Sequence, residues 1–179
     1  HGCDVSVHAA TKYIVGHSDA MMGAITCTAA AYGPIREAWD LLGHAVSPDD
    51  VYLATRGVRT MAVRLEQHQK NALEVAEWLQ GRPEVVRVLY PALEGDPGHA
   101  LWKRDFTGAS GLFGVVLKPT DEAQMEAFFD ALELFGMGSS WGGYESLAIP
   151  ADPTNYRTAT KWQPEGPLIR LHIGLENPA

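Results

Sequence analysis

The longest helical pattern in this 179-residue chain starts at Pro48, runs to Gly81, and divides the sequence into two parts. Ser47, Pro48 and two acidic residues form a strong helix start, because serine caps helices, proline is tolerated at the first position, and carboxylates favour the positive end of the helix dipole. Apolar residues then recur at three- and four-residue steps, as in a helix packed along one face. We expect this helix to be broken or kinked near Gly57.

Strand patterns lie on both sides of this helix, and the alternation of strands with helices predicts an α/β fold. Before the long helix, residues 4–8 alternate as a strand does, and residues 20–28 have the pattern of a second, buried strand. A short helix over residues 35–42 is expected to start at Pro34 and to end at Gly43.

After the long helix, strands are predicted at residues 85–89, 111–117 and 168–174, with helices at 97–104 and 121–134. Asp121 and Gln124 have the spacing of a capping box at the start of the second of these helices, and Gly136 is expected to end it. Residues 136–167 show no strong periodicity and are predicted to form a long loop. Its aromatic residues favour burial at a cleft or interface.

Composition excludes several classes of function. The net charge of −8 leaves no basic surplus for binding nucleic acid, and no apolar run approaches the ~20 residues that span a bilayer. Cys3 and Cys27 lack a CxxC spacing and the histidines are scattered, so neither a disulfide framework nor a metal site is expected. Two reduced cysteines are typical of a cytoplasmic protein.

Lys12 is the first candidate for chemistry, because it follows a short strand-like run and precedes a glycine turn. A lysine held at a strand end can lose its proton by desolvation and become a nucleophilic amine. Such an amine can form a Schiff base with an aldehyde cofactor, of which pyridoxal phosphate is the usual one. The alternative is an ordinary solvated lysine, and the spacing by itself leaves both interpretations open.

Arg170 is the second candidate. Within residues 168–173 the period of two places Arg170 and His172 on one face and the apolar residues on the other. A planar guanidinium can hold a carboxylate through two hydrogen bonds, although a solvated sheet face would also accommodate it. Ser140 can donate to the same carboxylate and Trp141 can wall the pocket, whereas His172 is expected to be structural.

Three segments of the chain, residues 6–19, 140–147 and 168–176, resemble in order and kind the signatures of the Cys/Met-metabolism family of pyridoxal-phosphate-dependent enzymes. The resemblance implies that Lys12 carries the cofactor, pyridoxal 5'-phosphate, and that the hydroxyl of Thr11 contacts its phosphate.

The same resemblance implies that Ser140 and Arg170 hold the α-carboxylate of the substrate. Many relatives carry a serine where this chain has Ala9, so one phosphate hydrogen bond is expected to be missing.

The resemblance also implies a PLP-dependent transferase-like fold (fold type I). Residues 1–70 would end the large cofactor domain, and residues 71–179 would form the small carboxyl-terminal α/β domain without its last helix. We therefore expect the chain to be the carboxyl-terminal part of a longer polypeptide. The missing amino-terminal part would supply the aspartate at the pyridine nitrogen and the aromatic residue that stacks on the ring.

Within the family, the chain most resembles the bacterial cystathionine β-lyases, and Trp141 fits a β-lyase better than a γ-synthase. The implied activity is carbon–sulfur β-elimination from an amino-acid thioether, cystathionine, giving homocysteine, pyruvate and ammonia in methionine biosynthesis. A homo-oligomer, specifically a homotetramer, is expected. Methionine γ-lyase, cystathionine γ-synthase or γ-lyase, and homoserine sulfhydrylase are the alternatives within the family. A non-catalytic fragment is the alternative from another class.

Overall fold

The computed structural model describes residues 2–163 and 165–178. In these residues the elements are, in chain order, β1 (Val5–Ala9), β2 (Gly23–Cys27), α1 (Ala29–Leu42), α2 (Pro48–Gln80), β3 (Val85–Leu89), α3 (His99–Asp105), β4 (Leu112–Leu117), α4 (Glu122–Asp130), β5 (Gly136–Met137), β6 (Leu147–Ala151) and β7 (Leu168–His172). This order confirms the α/β class.

The chain divides into two compact units, one through Met61 and one from Ala62, so that the division falls inside α2. The sequence places the domain boundary between residues 70 and 71, in the same helix. None of the helices in the described residues is both long enough and apolar enough to cross a membrane.

In the first unit, β1 and β2 form an antiparallel two-stranded sheet, with Val5 opposite Cys27 and Ala9 opposite Gly23. The prediction that the second strand is buried is wrong, since β2 is largely exposed. Each strand of a two-stranded sheet has one neighbouring strand only, so its residues are less covered than those of a strand inside a larger sheet. The small core of this unit consists of Val15, Ala20 and Ala54, with Met22 and Leu53 packed against it.

Helix α1 begins earlier than predicted, because it starts at Ala29 with Thr28 as N-cap and contains Pro34 in its second turn. Three successive alanines have the highest helix propensity and extend the helix upstream, while the proline removes a single backbone donor. The predicted end is confirmed. Gly43 adopts the left-handed conformation (φ 66°) and closes the helix.

Helix α2 is continuous from Pro48 to Gln80, so a break near Gly57 is wrong, while a kink there stays a prediction. A Cβ atom at Gly57 would collide with the carbonyl oxygens of Ile14 and Val15. The glycine therefore allows α2 to lie close to the turn that follows Lys12, and the helix continues at this position without a break.

In the second unit, a five-stranded sheet has the order β3-β4-β7-β6-β5, antiparallel except for the parallel pair β5 and β6. In its core, two small side chains of α2, Ala72 and Ala76, pack against alternate residues of the strands. These strand residues are Val115, Ile169 and Leu171. The strands predicted from residues 85, 111 and 168 onward are confirmed as β3, β4 and β7.

The predicted long loop over residues 136–167 is partly wrong, because it contains β5 and β6. Helix α4 has the predicted capping box between Asp121 and Gln124 but ends at Asp130, several residues before Gly136. A tight turn from Phe129 to Leu132 replaces the last predicted turn of the helix.

Candidate functional site

Lys12 lies in a turn directly after β1, and the backbone of this turn is fixed on both sides. The Lys12 amide donates to the Ala9 carbonyl at 3.0 Å, and the Lys12 carbonyl accepts from the Gly16 amide at 2.8 Å. Ala10 and Val15 in the same turn are 0% and 1% exposed. The turn therefore presents its lysine from a rigid base.

The exposure of Lys12 differs from that of the other lysines. Lys70, Lys103, Lys118 and Lys161 are exposed, whereas Lys12 is half-buried. The fixed turn sets the place from which the side chain of Lys12 extends.

The hydroxyl of Thr11 is held by the backbone of Met22. It accepts the Met22 amide hydrogen at 2.8 Å and donates to the Met22 carbonyl at 3.3 Å. The second contact is long, and a hydroxyl has one proton to donate. Thr11 can therefore donate to a phosphate only by turning this proton away from Met22.

The guanidinium of Arg170, on β7, is held by the chain segment that precedes β6. Its Nη2 donates to the carbonyls of Gly138 and Ser140 at 3.3 and 3.1 Å. Its Cζ lies 5.1 Å from the ring centroid of Trp141, a separation at which a cation is attracted to an aromatic face. Burial lowers the pKa of Arg170 from its usual value, yet an arginine keeps its charge in proteins.

The Nε atom of Arg170 is buried and has no hydrogen-bond partner among the described residues. Buried donors in native proteins are nearly always paired, because an unsatisfied one costs about 1–3 kcal/mol. A carboxylate has the charge and geometry to accept from this donor.

The structure thus brings Arg170, Ser140 and Trp141 together, while Lys12 and Thr11 lie in the other unit. Ser140 is exposed, and its carbonyl oxygen accepts from Arg170. Among the described residues there is no group of three or more His, Cys, Asp and Glu side chains able to hold a metal ion.

Sequence reasoning gave His172 no part in the site. The ring is 1% exposed, and its Nε2 lies 3.1 Å from the Gly142 amide nitrogen and 3.2 Å from the Gly143 carbonyl oxygen. The His68 ring, from α2, lies 5.2 Å away. Burial lowers the pKa of His172 to about 4, so the ring is neutral near pH 7.

Glu176 is a second residue that the sequence did not single out. Its carboxylate accepts from the amide and the hydroxyl of Ser146 at 2.7 and 2.9 Å. Asn71, from α2, donates to the carbonyls of Gly174 and Glu176 at 3.1 and 2.8 Å. These bonds fix the chain on both sides of the Arg170 site, and no local pattern could have shown them because the partners are 30 to 105 residues apart.

Comparison with known proteins identifies relatives of the whole chain. Residues 1–179 match the family described as Cys/Met metabolism PLP-dependent enzyme. A protein of Escherichia coli named cystathionine beta-lyase is 50% identical over 98% of this chain and 46% of its own length. Cystathionine gamma-lyase of Homo sapiens is 39% identical over 98% of this chain and 45% of its own length. The chain therefore spans about half the length of the curated relatives it matches.

The fold also has a counterpart among solved structures. Cystathionine gamma synthase from Xanthomonas oryzae, in complex with cystathionine, superposes with a TM-score of 0.86 at 37% identity, covering 99% of this chain and 47% of that chain. The predicted PLP-dependent transferase-like fold (fold type I) is confirmed by this likeness.

Proposed function

Because the chain belongs to the family of Cys/Met metabolism PLP-dependent enzymes, we propose that it carries the cofactor lysine and the substrate-carboxylate site of a carbon–sulfur β-lyase. The proposed reaction is the cleavage of cystathionine, with uptake of water, to homocysteine, pyruvate and ammonia, as part of methionine biosynthesis in the cytoplasm. The match to a cystathionine beta-lyase at 50% identity supports β-elimination.

The observation that carries the proposal is the exposure of Lys12. A covalent aldehyde cofactor needs a primary amine at a fixed place, and Lys12 is a half-buried lysine on a turn whose backbone is bonded at both sides. The residues present therefore fit pyridoxal phosphate. Thr11 would donate to the phosphate after its proton turns from Met22, and Ala9 offers no hydroxyl.

When bound, pyridoxal phosphate supplies an aldehyde that attaches the substrate amine and a ring that withdraws electrons from the α-carbon. The Nζ of Lys12, in its neutral form, is the proposed general base that removes the α-proton. The same amine, once protonated, is proposed to return a proton to the departing sulfur. One side chain on a rigid turn thus moves a proton from carbon to sulfur.

Arg170 is proposed to hold the α-carboxylate of the substrate. Its Nη2 is occupied by the carbonyls of Gly138 and Ser140, and its Nε supplies the buried donor that lacks an acceptor among the described residues. The Ser140 hydroxyl is proposed to donate to the second carboxylate oxygen, and Trp141 walls the site and steadies the guanidinium. Fixing the carboxylate orients the breaking carbon–sulfur bond, which is catalysis by positioning.

The test of the proposal is the Lys12→Ala variant of the holoenzyme. Turnover of L-cystathionine should fall at least about a thousandfold, because the variant lacks both the covalent amine and the general base. Circular dichroism should be unchanged, and Lys118→Ala, at an exposed lysine, is the matched control.

Borohydride reduction of the wild-type protein followed by digestion should leave the cofactor on the peptide that contains Lys12. Wild-type turnover in Lys12→Ala would contradict the proposal.

Product analysis separates the β-lyase from its alternatives. Relatives of this chain are also named cystathionine gamma-lyase and cystathionine gamma synthase. Pyruvate indicates β-elimination, whereas 2-oxobutanoate indicates γ-elimination. An accumulation of 2-oxobutanoate from L-cystathionine would reassign the chain to a γ-lyase while leaving the role of Lys12 intact.

The partners form part of the proposal. The chain spans about half the length of its relatives, which supports an additional amino-terminal part that supplies the groups around the cofactor ring. A homotetramer is the proposed assembly, and light scattering on the purified enzyme tests it.

A further inference from the structure

The backbone from Gly138 to Gly142 is tied to β7 at every second residue. The carbonyls of Gly138 and Ser140 accept from Arg170, and the amide of Gly142 donates to His172 Nε2 at 3.1 Å. Arg170 and His172 are two residues apart on β7 and therefore share one face of the strand. Two side chains of one strand together hold a single stretch of backbone, here called the 138–142 segment.

The bond from Gly142 fixes the protonation state of the His172 ring. A backbone amide can only donate, so His172 Nε2 must accept and the ring proton must lie on Nδ1. The carbonyl of Gly143, 3.2 Å from the same nitrogen, would need a proton on Nε2, so one ring state cannot satisfy both contacts. Buried amide groups are left unpaired more rarely than carbonyls, which favours the bond from Gly142.

The position of the ring is fixed by its surroundings. A Cβ atom at Gly111 would collide with the carbonyl oxygen of Ile173 and would lie 3.2 Å from Nδ1 of both His172 and His68, so the backbone and the two rings pack closely at this glycine. His68 donates from Nδ1 to the Ile173 carbonyl at 2.8 Å. The two histidines are equally buried but hold different parts of the chain.

We propose that His172 is a positioning residue for substrate binding. Its unprotonated Nε2 accepts the hydrogen of the Gly142 amide, and this bond holds the 138–142 segment beside Arg170. In that place the segment keeps the carbonyls of Gly138 and Ser140 on the guanidinium and the Ser140 hydroxyl near the proposed carboxylate. This inference rests on the proposed function, which assigns the carboxylate to Arg170 and Ser140.

Steady-state kinetics of the holoenzyme with L-cystathionine test the inference. His172→Leu removes the acceptor, and we expect KM to rise about tenfold at nearly unchanged kcat, since a uniform binding interaction is weakened. His172→Gln carries an amide oxygen near the position of Nε2 and should restore KM to within about threefold of wild type. His99→Leu removes a histidine ring that bonds to the Pro91 carbonyl before α3 and should leave KM within about twofold of wild type.

The Arg170→Lys variant separates a failure of this inference from a failure of the proposed function. If His172 acts through Arg170, the double variant Arg170→Lys with His172→Leu should have a KM within about twofold of that of Arg170→Lys alone. A raised KM in Arg170→Lys with a wild-type KM in His172→Leu overturns the inference alone. A wild-type KM in Arg170→Lys removes the proposed carboxylate site, and the inference falls with it.

A measurement on the unmodified protein keeps the inference testable if His172→Leu does not fold. In nitrogen-15 spectra of histidine-labelled holoenzyme, the ring signals lost in His172→Gln belong to His172. Those signals should show a protonated Nδ1 and an unprotonated Nε2 near pH 7. A proton on Nε2 would place the ring on the Gly143 carbonyl instead and would overturn the inference.

Discussion

At the scale of single residues, Gly57 connects the long helix to the turn that carries Lys12. The carbonyl oxygens of Ile14 and Val15 lie where a Cβ atom of residue 57 would stand. Those two residues follow Lys12 in the same turn, and Val15 is buried in the small core of the first unit. A side chain at position 57 would therefore push on the backbone that positions the lysine.

Gly57→Ala should destabilise the protein by at least about 2 kcal/mol, because the new methyl group meets backbone rather than a movable side chain. Cofactor content should fall as well, since the turn of Lys12 is displaced. Chemical denaturation and cofactor absorbance measure the two effects.

Thr55→Ala is the control for this change, because it introduces the same alanine at an exposed position of the same helix. The Thr55 hydroxyl donates to the Val51 carbonyl one turn earlier, and the stability should stay within about 0.5 kcal/mol of wild type. Equal stability of Gly57→Ala and Thr55→Ala would show that α2 can move away from the turn at no cost.

At the scale of elements, the start of α4 is held by a reciprocal pair of hydrogen bonds. Asp121 Oδ1 accepts the Gln124 amide at 2.8 Å, and Gln124 Oε1 accepts the Asp121 amide at 3.1 Å. Together they satisfy two donors that a helix start leaves without intrahelical partners.

Asp121→Ala should cost about 1 kcal/mol of folding free energy, the usual cost of losing an N-cap side chain. Asp130→Ala removes a carboxylate from the last residue of the same helix, at the negative end of the helix dipole. This variant should be as stable as wild type or more stable by roughly a few tenths of a kcal/mol. Urea denaturation of the two variants measures the difference, and a smaller loss in Asp121→Ala than in Asp130→Ala would contradict the capping role.

The elements that the sequence predicted are those whose signal is local. The capping box of α4, the left-handed Gly43 and the strands β3, β4 and β7 each follow from a few adjacent residues. Strand β6 was missed because Pro150 interrupts its pattern, and proline lacks the amide that a central strand needs. Strand β5 pairs with β6 at Leu147 and Ala148. Pro150 lies beyond this pairing, in the part of β6 that pairs with β7.

At the scale of the whole molecule, the candidate site shows the same division between local and distant information. Arg170, Ser140 and Trp141 stand in short segments whose residue types indicate carboxylate binding. The bonds from Gly142 to His172 and from Ser146 to Glu176 join residues 30 apart in sequence, and Asn71 reaches Glu176 over 105 residues. The period of two placed His172 beside Arg170, but its burial follows from the fold of the chain over it.

This burial makes the stability of the protein depend on pH. The pKa of His172 is lowered to about 4, chiefly by burial, while the Gly143 carbonyl and the carboxylates of Glu145 and Glu176 oppose the shift and His68 adds to it. Burial likewise lowers the pKa of His68. In the unfolded chain a histidine has a pKa of about 6.5. Between these values the unfolded state binds more protons than the folded state, so stability falls as the pH falls.

The loss from His172 should reach about 3 kcal/mol at pH 4 relative to pH 7, from about 1.4 kcal/mol for each unit of pKa difference. His172→Gln cannot be protonated, so its urea midpoint should depend less steeply on pH between 4 and 6.5, roughly. His68 still titrates in this variant and leaves part of the slope. Parallel curves for the two proteins would mean that His172 takes up its proton equally in the folded and unfolded states, which a ring 1% exposed and bonded to the Gly142 amide cannot do.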